Sequence, residues 1–219
     1  MTAKKKGGGA LLEALERERL FLAEELHEGL CQSLGALSIH LKALERRVKK
    51  MAPAIGNDFA ELHRTVEEAI DQTRFLHRTL KPPVSDGPSF LKALTEWVES
   101  KRGVLECEAS FHERIDSITP GVAVALLRIA QEALRDSILN PTVTATRVTL
   151  AVKNRSLMMT LSDDRKPSSG PRNAAALQVT AAHAKSIAGK VQALEKDATI
   201  EVRAPLAASP RRSARSKNF

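Results

Sequence analysis

The residues best suited to chemistry lie close together in ELHEGLCQSL, residues 25–34. His27 is followed at once by Glu28, and Gln32 comes four residues after Glu28, on the same face of any helix that holds them. An imidazole with its ordinary pKa of ~6.5 is a competent nucleophile near neutral pH. An adjacent carboxylate can orient it or take its proton, and Gln32 is placed to position a water. His40, His63, His77, His112 and His183 lack that combination. An exposed histidine on a helix is ordinarily inert, so the spacing acquires meaning only from its context. Cys31 and Cys107 are far apart and form no CxxC, which suits free thiols in a reducing compartment. No Cys/His group has the spacing of metal ligands, so no metal site is expected.

The elements that must position His27 read clearly. Ala23, Leu26, Leu30, Leu34, Leu37, Leu41, Leu44 and Val48 recur in steps of three and four, which predicts one long amphipathic helix from Ala10 to about Lys50. At 100° per residue His27 falls about 60° from the centre of this stripe, at its edge. Pro53 and Gly56 punctuate the chain. A second stripe then runs through Phe59, Leu62, Val66, Ala69, Thr73, Leu76 and Leu80 to Lys81-Pro82-Pro83. One hairpin leaves much of both stripes in water, whereas two copies bury them as a four-helix bundle, so a homodimer is expected.

A different texture starts at Asp86-Gly87-Pro88. Helices are expected at Phe90–Arg102, Ile118–Leu139 and Ala174–Ala188, the second opened by Thr119 and Pro120 as cap and first turn. Alternating segments at 105–111, 148–152, 157–161, 191–194 and 200–204 read as strands, the middle pair turning at Asn154-Arg155. The fold class is therefore α+β: a helical hairpin over 10–86, then a sandwich over 87–206 with helices on one face of a mixed sheet. Residues 1–9 and 207–219 read as disordered basic tails.

Composition narrows the possibilities. The 219 residues carry a net charge of +8, of which Lys4, Lys5 and Lys6 supply three and Arg211, Arg212, Arg215 and Lys217 four, leaving a nearly neutral body. The charge is thus no mark of a nucleic-acid partner. Aromatics are 3% with no Tyr, which argues against base stacking. The longest apolar run, Val122–Leu127, is far short of the ~20 residues that span a bilayer. No signal-type apolar stretch follows MTAKKKGGG. A cytoplasmic protein without a membrane partner is expected.

ERERLFLAEELHEGLCQSLGAL resembles the dimerisation and phosphoacceptor segment of two-component sensor histidine kinases, in the subgroup with an H-[DE]-x-x-x-Q motif. The likeness continues through DQTRFLHRTLKPP, where that family has an "LRP" ending, and into QEAL at 131–134, which resembles the start of its ATP-binding N box. It covers roughly residues 16–206 and implies that the sandwich is an ATP-binding domain. By this resemblance His27 carries the phosphoryl group, Glu28 is its acid/base partner, and Gln32 helps hydrolyse phospho-aspartate on a response-regulator receiver domain. Glu132 belongs to the N box, and Asp163 to the first glycine-rich box.

Departures from the family pattern are concentrated in the second half. The metal-binding Asn of the N box is Asp136 here. Where the family reads about D-x-G-x-G, this chain reads Asp163-Asp164-Arg165-Lys166-Pro167, and the later glycine-rich box is Asn173-Ala174-Ala175-Ala176-Leu177. Backbone that wraps a phosphate needs glycine for close approach and positive φ. The sequence therefore favours a histidine phosphotransferase that exchanges phosphoryl groups with regulator aspartates without ATP. Glu132, Asp136 and Asp163 are then remnants, no cofactor is needed, and any Mg²⁺ belongs to the partner regulator. Arg165 and Lys166 remain as cations able to attract phosphate. The alternatives are an ATP-dependent histidine kinase with a divergent pocket and a non-catalytic dimeric scaffold.

Overall fold

The computed structural model describes residues 7–51, 56–111, 115, 118–153, 156–166, 172–194 and 198–205. Residues 1–6, the tail after 206, Pro53, His112, the turn at Asn154-Arg155 and Pro167 lie outside these residues, whereas Gly7–Gly9, expected in the disordered N-terminal tail, open the first helix. The chain divides into two compact units, Met1–Pro82 and Pro83–Phe219.

The first unit holds α1 (Gly7–Glu25), α2 (Gln32–Val48) and α3 (Gly56–Leu80). Between α1 and α2, Leu26–Cys31 forms a π-helical turn, flanked by Glu25 and Gln32 in ordinary right-handed helical geometry. The expected continuous helix thus exists but is wound more loosely at one point. Its i→i+5 bonding takes in an extra residue per turn and shifts the phase of the stripe. Ala23 is buried, and Leu26, Leu34, Leu41 and Val48 are half-buried, while Leu30, Leu37 and Leu44 stay exposed. On α3, Phe59 and Thr73 are buried. The Thr73 hydroxyl donates to the Ala69 carbonyl at 2.8 Å, which satisfies the one polar member of the stripe. Glu45 hydrogen-bonds His63 at 2.9 Å, and Lys81 pairs with Glu24 at 3.4 Å, so polar contacts bridge both ends of the antiparallel hairpin.

In the second unit, α4 (Gly87–Glu99) starts earlier than Phe90 because Asp86 and Ser89 form a capping box. Ser89 N donates to Asp86 Oδ1 at 2.8 Å, and the bonds from Ser89 hold the Asp86 carboxyl below its usual pKa. α5 (Pro120–Leu139) opens on the expected Thr119 cap, and α6 (Ala174–Ser186) on Asn173, whose side chain accepts from Ala175 N. Five strands, β1 (Glu106–Phe111), β2 (Ala145–Lys153), β3 (Ser156–Asp163), β4 (Lys190–Leu194) and β5 (Thr199–Pro205), form one sheet in the order β1-β2-β3-β5-β4. β1 and β2 are parallel and the other pairs antiparallel. Val148, Leu150, Leu157, Met159, Leu161, Ile200 and Val202 bury one sheet face against Phe90, Leu94, Leu126, Ile129 and Leu134 of the helices. Burial also raises the Cys107 thiol pKa, which leaves it unreactive.

Gly87 marks the tightest approach in this unit. A Cβ there would lie 1.6 Å from the Ile115 carbonyl oxygen. Gly87→Ala must therefore move backbone, and about 3 kcal/mol of stability should be lost. Urea denaturation followed by the fluorescence of Trp97, the only Trp in the chain, measures this loss.

Candidate functional site

His27 and Glu28 lie in the π turn, and Gln32 is the first residue of α2. All three side chains are exposed. Among the described residues no hydrogen bond or ion pair joins them to one another, so Glu28 does not hold His27 directly in this state. The partner the fold does bring to His27 is His77, from the last turns of α3. The two rings are 5.3 Å apart between centroids and tilted by 42°. Burial lowers the His77 pKa below its ordinary value, and the charges of His27, Lys81 and Arg78 lower it further. The shift favours the neutral ring of His77, which lies beside the candidate nucleophile. Sequence reasoning set His77 aside as lacking the motif. Its role follows from the register of α3 against the π turn, for which one sequence carries no signal.

In the second unit the acidic residues singled out from the sequence separate into two groups. Glu132 is half-buried on α5 and joins none of the ion pairs described next. Asp136 and Asp163 meet across α5 and the end of β3, with two arginines between them. Arg165 Nη2 lies 2.8 Å from Asp136 Oδ2 and 2.7 Å from Asp163 Oδ2, and Arg165 Nε donates to Asp163 Oδ1 at 2.8 Å. Arg172 Nη2 is 3.0 Å from Asp163 Oδ2, and its Nη1 3.4 Å from Asp136 Oδ2. The Ser137 hydroxyl adds a bond to Asp163 at 2.7 Å. Burial pushes the Asp163 carboxyl up, but the bonds from Arg165 and Ser137 and the arginine charges outweigh it and hold the pKa below the usual range. The Arg165 pKa is raised by its bonds to Asp163.

The expectation that Arg165 is a free cation for phosphate is thus corrected, because its side chain is only 5% exposed and turned inward. Asp164, the other acid of the expected box, is also engaged. It accepts from Thr144 N, Ala145 N and the Thr144 hydroxyl at 2.9, 3.0 and 2.5 Å, tying the start of β2 to the end of β3.

Comparison with known proteins bears on both units. Residues 16–85 match the family model described as histidine kinase. The sensor histidine kinase LiaS of Bacillus subtilis is 27% identical over 152 residues, 69% of this chain and 42% of its own length. The sensor protein VraS of Staphylococcus aureus is 28% identical over 153 residues, 69% of this chain and 43% of its own. The chain thus spans less than half the length of these relatives. Since 152 residues exceed the length of the first unit, the likeness runs into the second. Among solved structures, the EL346 blue-light activated histidine kinase of Erythrobacter litoralis aligns with a TM-score of 0.45 and 14% identity over 80% of this chain and 59% of its own. Acinetobacter baumannii histidine kinase AdeS aligns with a TM-score of 0.42 and 9% identity, over 76% and 95%. The chain is similar to sensor histidine kinases, and its match to the histidine kinase family takes in His27, Glu28, Gln32 and His77.

Proposed function

We propose that this chain is a histidine-kinase-type protein of two-component signalling, working as a homodimer, in which His27 carries a phosphoryl group destined for the receiver domain of a response regulator. The observation that supports this best is the coincidence of the family match over 16–85 with an exposed His27-Glu28 pair on a locally unwound helix. In the transfer step an imidazole nitrogen of His27 attacks phosphorus. A P–N bond forms, the P–O bond to the donor breaks, the oxygen leaves with the donor, and the ring N–H proton passes to Glu28 or water. The regulator aspartate then takes the group by the reverse exchange, and Gln32 serves the later hydrolysis on the regulator.

The donor is the finer question. The relatives are named sensor histidine kinases and sensor proteins, which backs ATP-dependent autophosphorylation better than the ATP-free transfer favoured from the sequence. One observation favours the second reading: Asp136 and Asp163 are already saturated by arginines. The chain should be incubated with γ-labelled Mg·ATP and, in parallel, with a phosphorylated receiver domain. Label at His27 from ATP establishes the first reading, label from the receiver alone the second, and label from neither leaves a dimeric scaffold.

The dimer is supported by the apolar surface of the hairpin. Leu30, Leu37 and Leu44, seven residues apart, are each about half exposed, at 51, 49 and 49%, as are Leu62 and Leu76. A second copy covers such a seam in the manner of a bundle. Leu37→Glu places an unpaired charge there, and light scattering on the full chain should then report the 23.9 kDa monomer where the parent gives twice that mass.

A further inference from the structure

We infer that Arg165 and Arg172 are resident cations of the Asp136–Asp163 pocket and close it, as this chain folds, to a divalent metal ion and to nucleotide phosphate. The inference rests on the histidine-kinase reading only in calling this a former ligand site; the cluster itself stands on its own geometry. All four side chains are at least nine-tenths buried: Asp163 is 0% exposed, Arg165 5%, Arg172 6% and Asp136 9%. Two carboxylates meet two guanidiniums, so the pocket is neutral without any ligand.

Every carboxylate oxygen is occupied. Asp163 Oδ1 accepts from Arg165 Nε, and its Oδ2 from Arg165, Arg172 and Ser137. Asp136 Oδ2 accepts from both arginines, and its Oδ1 from Asn173 N at 3.2 Å. Arg172 is anchored a second time, with Nη2 donating to the Ala198 carbonyl at 2.8 Å. Magnesium needs oxygen ligands at ~2.0–2.1 Å in near-ideal octahedral geometry, so a metal entering here must first expel both arginines. A guanidinium cannot escape by losing its proton. The arginines therefore do internally what a bound cation would do, and they tie α5, β3, β5 and the start of α6 together.

The residues present consequently do not fit a magnesium–nucleotide complex without rearrangement. If ATP does charge His27, it has to displace the two arginines. Three measurements on the full chain test the closure independently of whether His27 is phosphorylated. Mn²⁺ titrated by electron paramagnetic resonance and Mg·ATP by calorimetry should show no saturable binding at millimolar concentration. The guanidinium NMR signals of Arg165 and Arg172 should persist unshifted through the ATP titration. The double variant Arg165→Met, Arg172→Met, with folding checked by circular dichroism, should gain Mn²⁺ affinity by at least about tenfold, since two carboxylates are freed. Micromolar Mg·ATP binding by the parent chain, with those arginine signals displaced, overturns the closure. A folded double variant that still ignores Mn²⁺ overturns the role given to the arginines. Should the variant not fold, the NMR and binding data on the parent chain decide.

Discussion

His27→Ala should bring acid-labile, alkali-stable phosphoryl labelling of the chain to background, with either donor, while the dimer persists. The labile bond is a phosphoramidate, the P–N bond that an imidazole nitrogen forms with a phosphoryl group. His27 is exposed and makes no hydrogen bond among the described residues, so its truncation removes little packing. The stability change should stay within about 0.5 kcal/mol, as for surface positions generally. His77→Ala and His77→Phe separate the two rings. His77 shares a ring contact with His27 but is half-buried, so it should not take up the label itself. If His77 acts as a neutral hydrogen-bonding neighbour, His77→Phe should slow labelling while keeping the packing, and His77→Gln should recover part of the rate. Label that survives His27→Ala and moves to His77 sinks the assignment. Gln32→Ala should leave acceptance at His27 intact and slow loss of phosphate from the partner regulator.

How much of this was legible in the sequence differs between the two units. The hairpin could be read because Leu34, Leu41 and Val48, like Phe59, Val66 and Thr73, repeat at helical spacing, and burial of such a stripe is a local consequence of periodicity. Thr119-Pro120 and the alternation around Val148 and Leu161 were legible for the same reason. The π turn was not. The choice between i→i+4 and i→i+5 bonding at Leu26–Cys31 costs little locally and is set by packing against α3. The His27–His77 contact depends on inter-helix register in the same way.

The arginine cluster was illegible for a further reason. Arg165 follows two aspartates, so by sequence it looks like a solvated cation, and Arg172 is 36 residues from Asp136. Only once the sheet and α5 have buried Asp136 and Asp163 does leaving them unpaired become costly enough to draw both guanidiniums inward. The missing glycines did mark the right place. What fills that place is a tertiary outcome.

That burial sets the largest stability effect expected in the chain. Asp163→Asn removes the charge that both arginines share and leaves Arg172 with Asp136, at 3.4 Å, as its one carboxylate partner among the described residues, beside the Ala198 carbonyl. Breaking a buried ion pair from one side typically costs about 3–5 kcal/mol, a large part of an ordinary domain's margin of ~5–15 kcal/mol. Arg172→Met should cost less, because Asp163 keeps two bonds from Arg165. Arg172 Nε is also buried without an acceptor among the described residues, so its removal relieves a penalty. The double variant Asp163→Asn, Arg172→Met should therefore be more stable than the sum of the two losses implies, which a double-mutant cycle measures as coupling. Trp97 fluorescence in urea reports on the second unit alone, since the first contains no Trp. The same cluster dictates the pH dependence. The Asp163 pKa is lowered in the folded chain, so its contribution is fully present above the unfolded value of ~3.9 and is lost as pH falls through the folded value. The second unit should hold this contribution from neutral pH down to about pH 5 and lose it progressively below about pH 4. Asp163→Asn should flatten that acid limb. An acid limb unchanged by the substitution would place the acid lability elsewhere and remove Asp163 from the account of what holds this unit together.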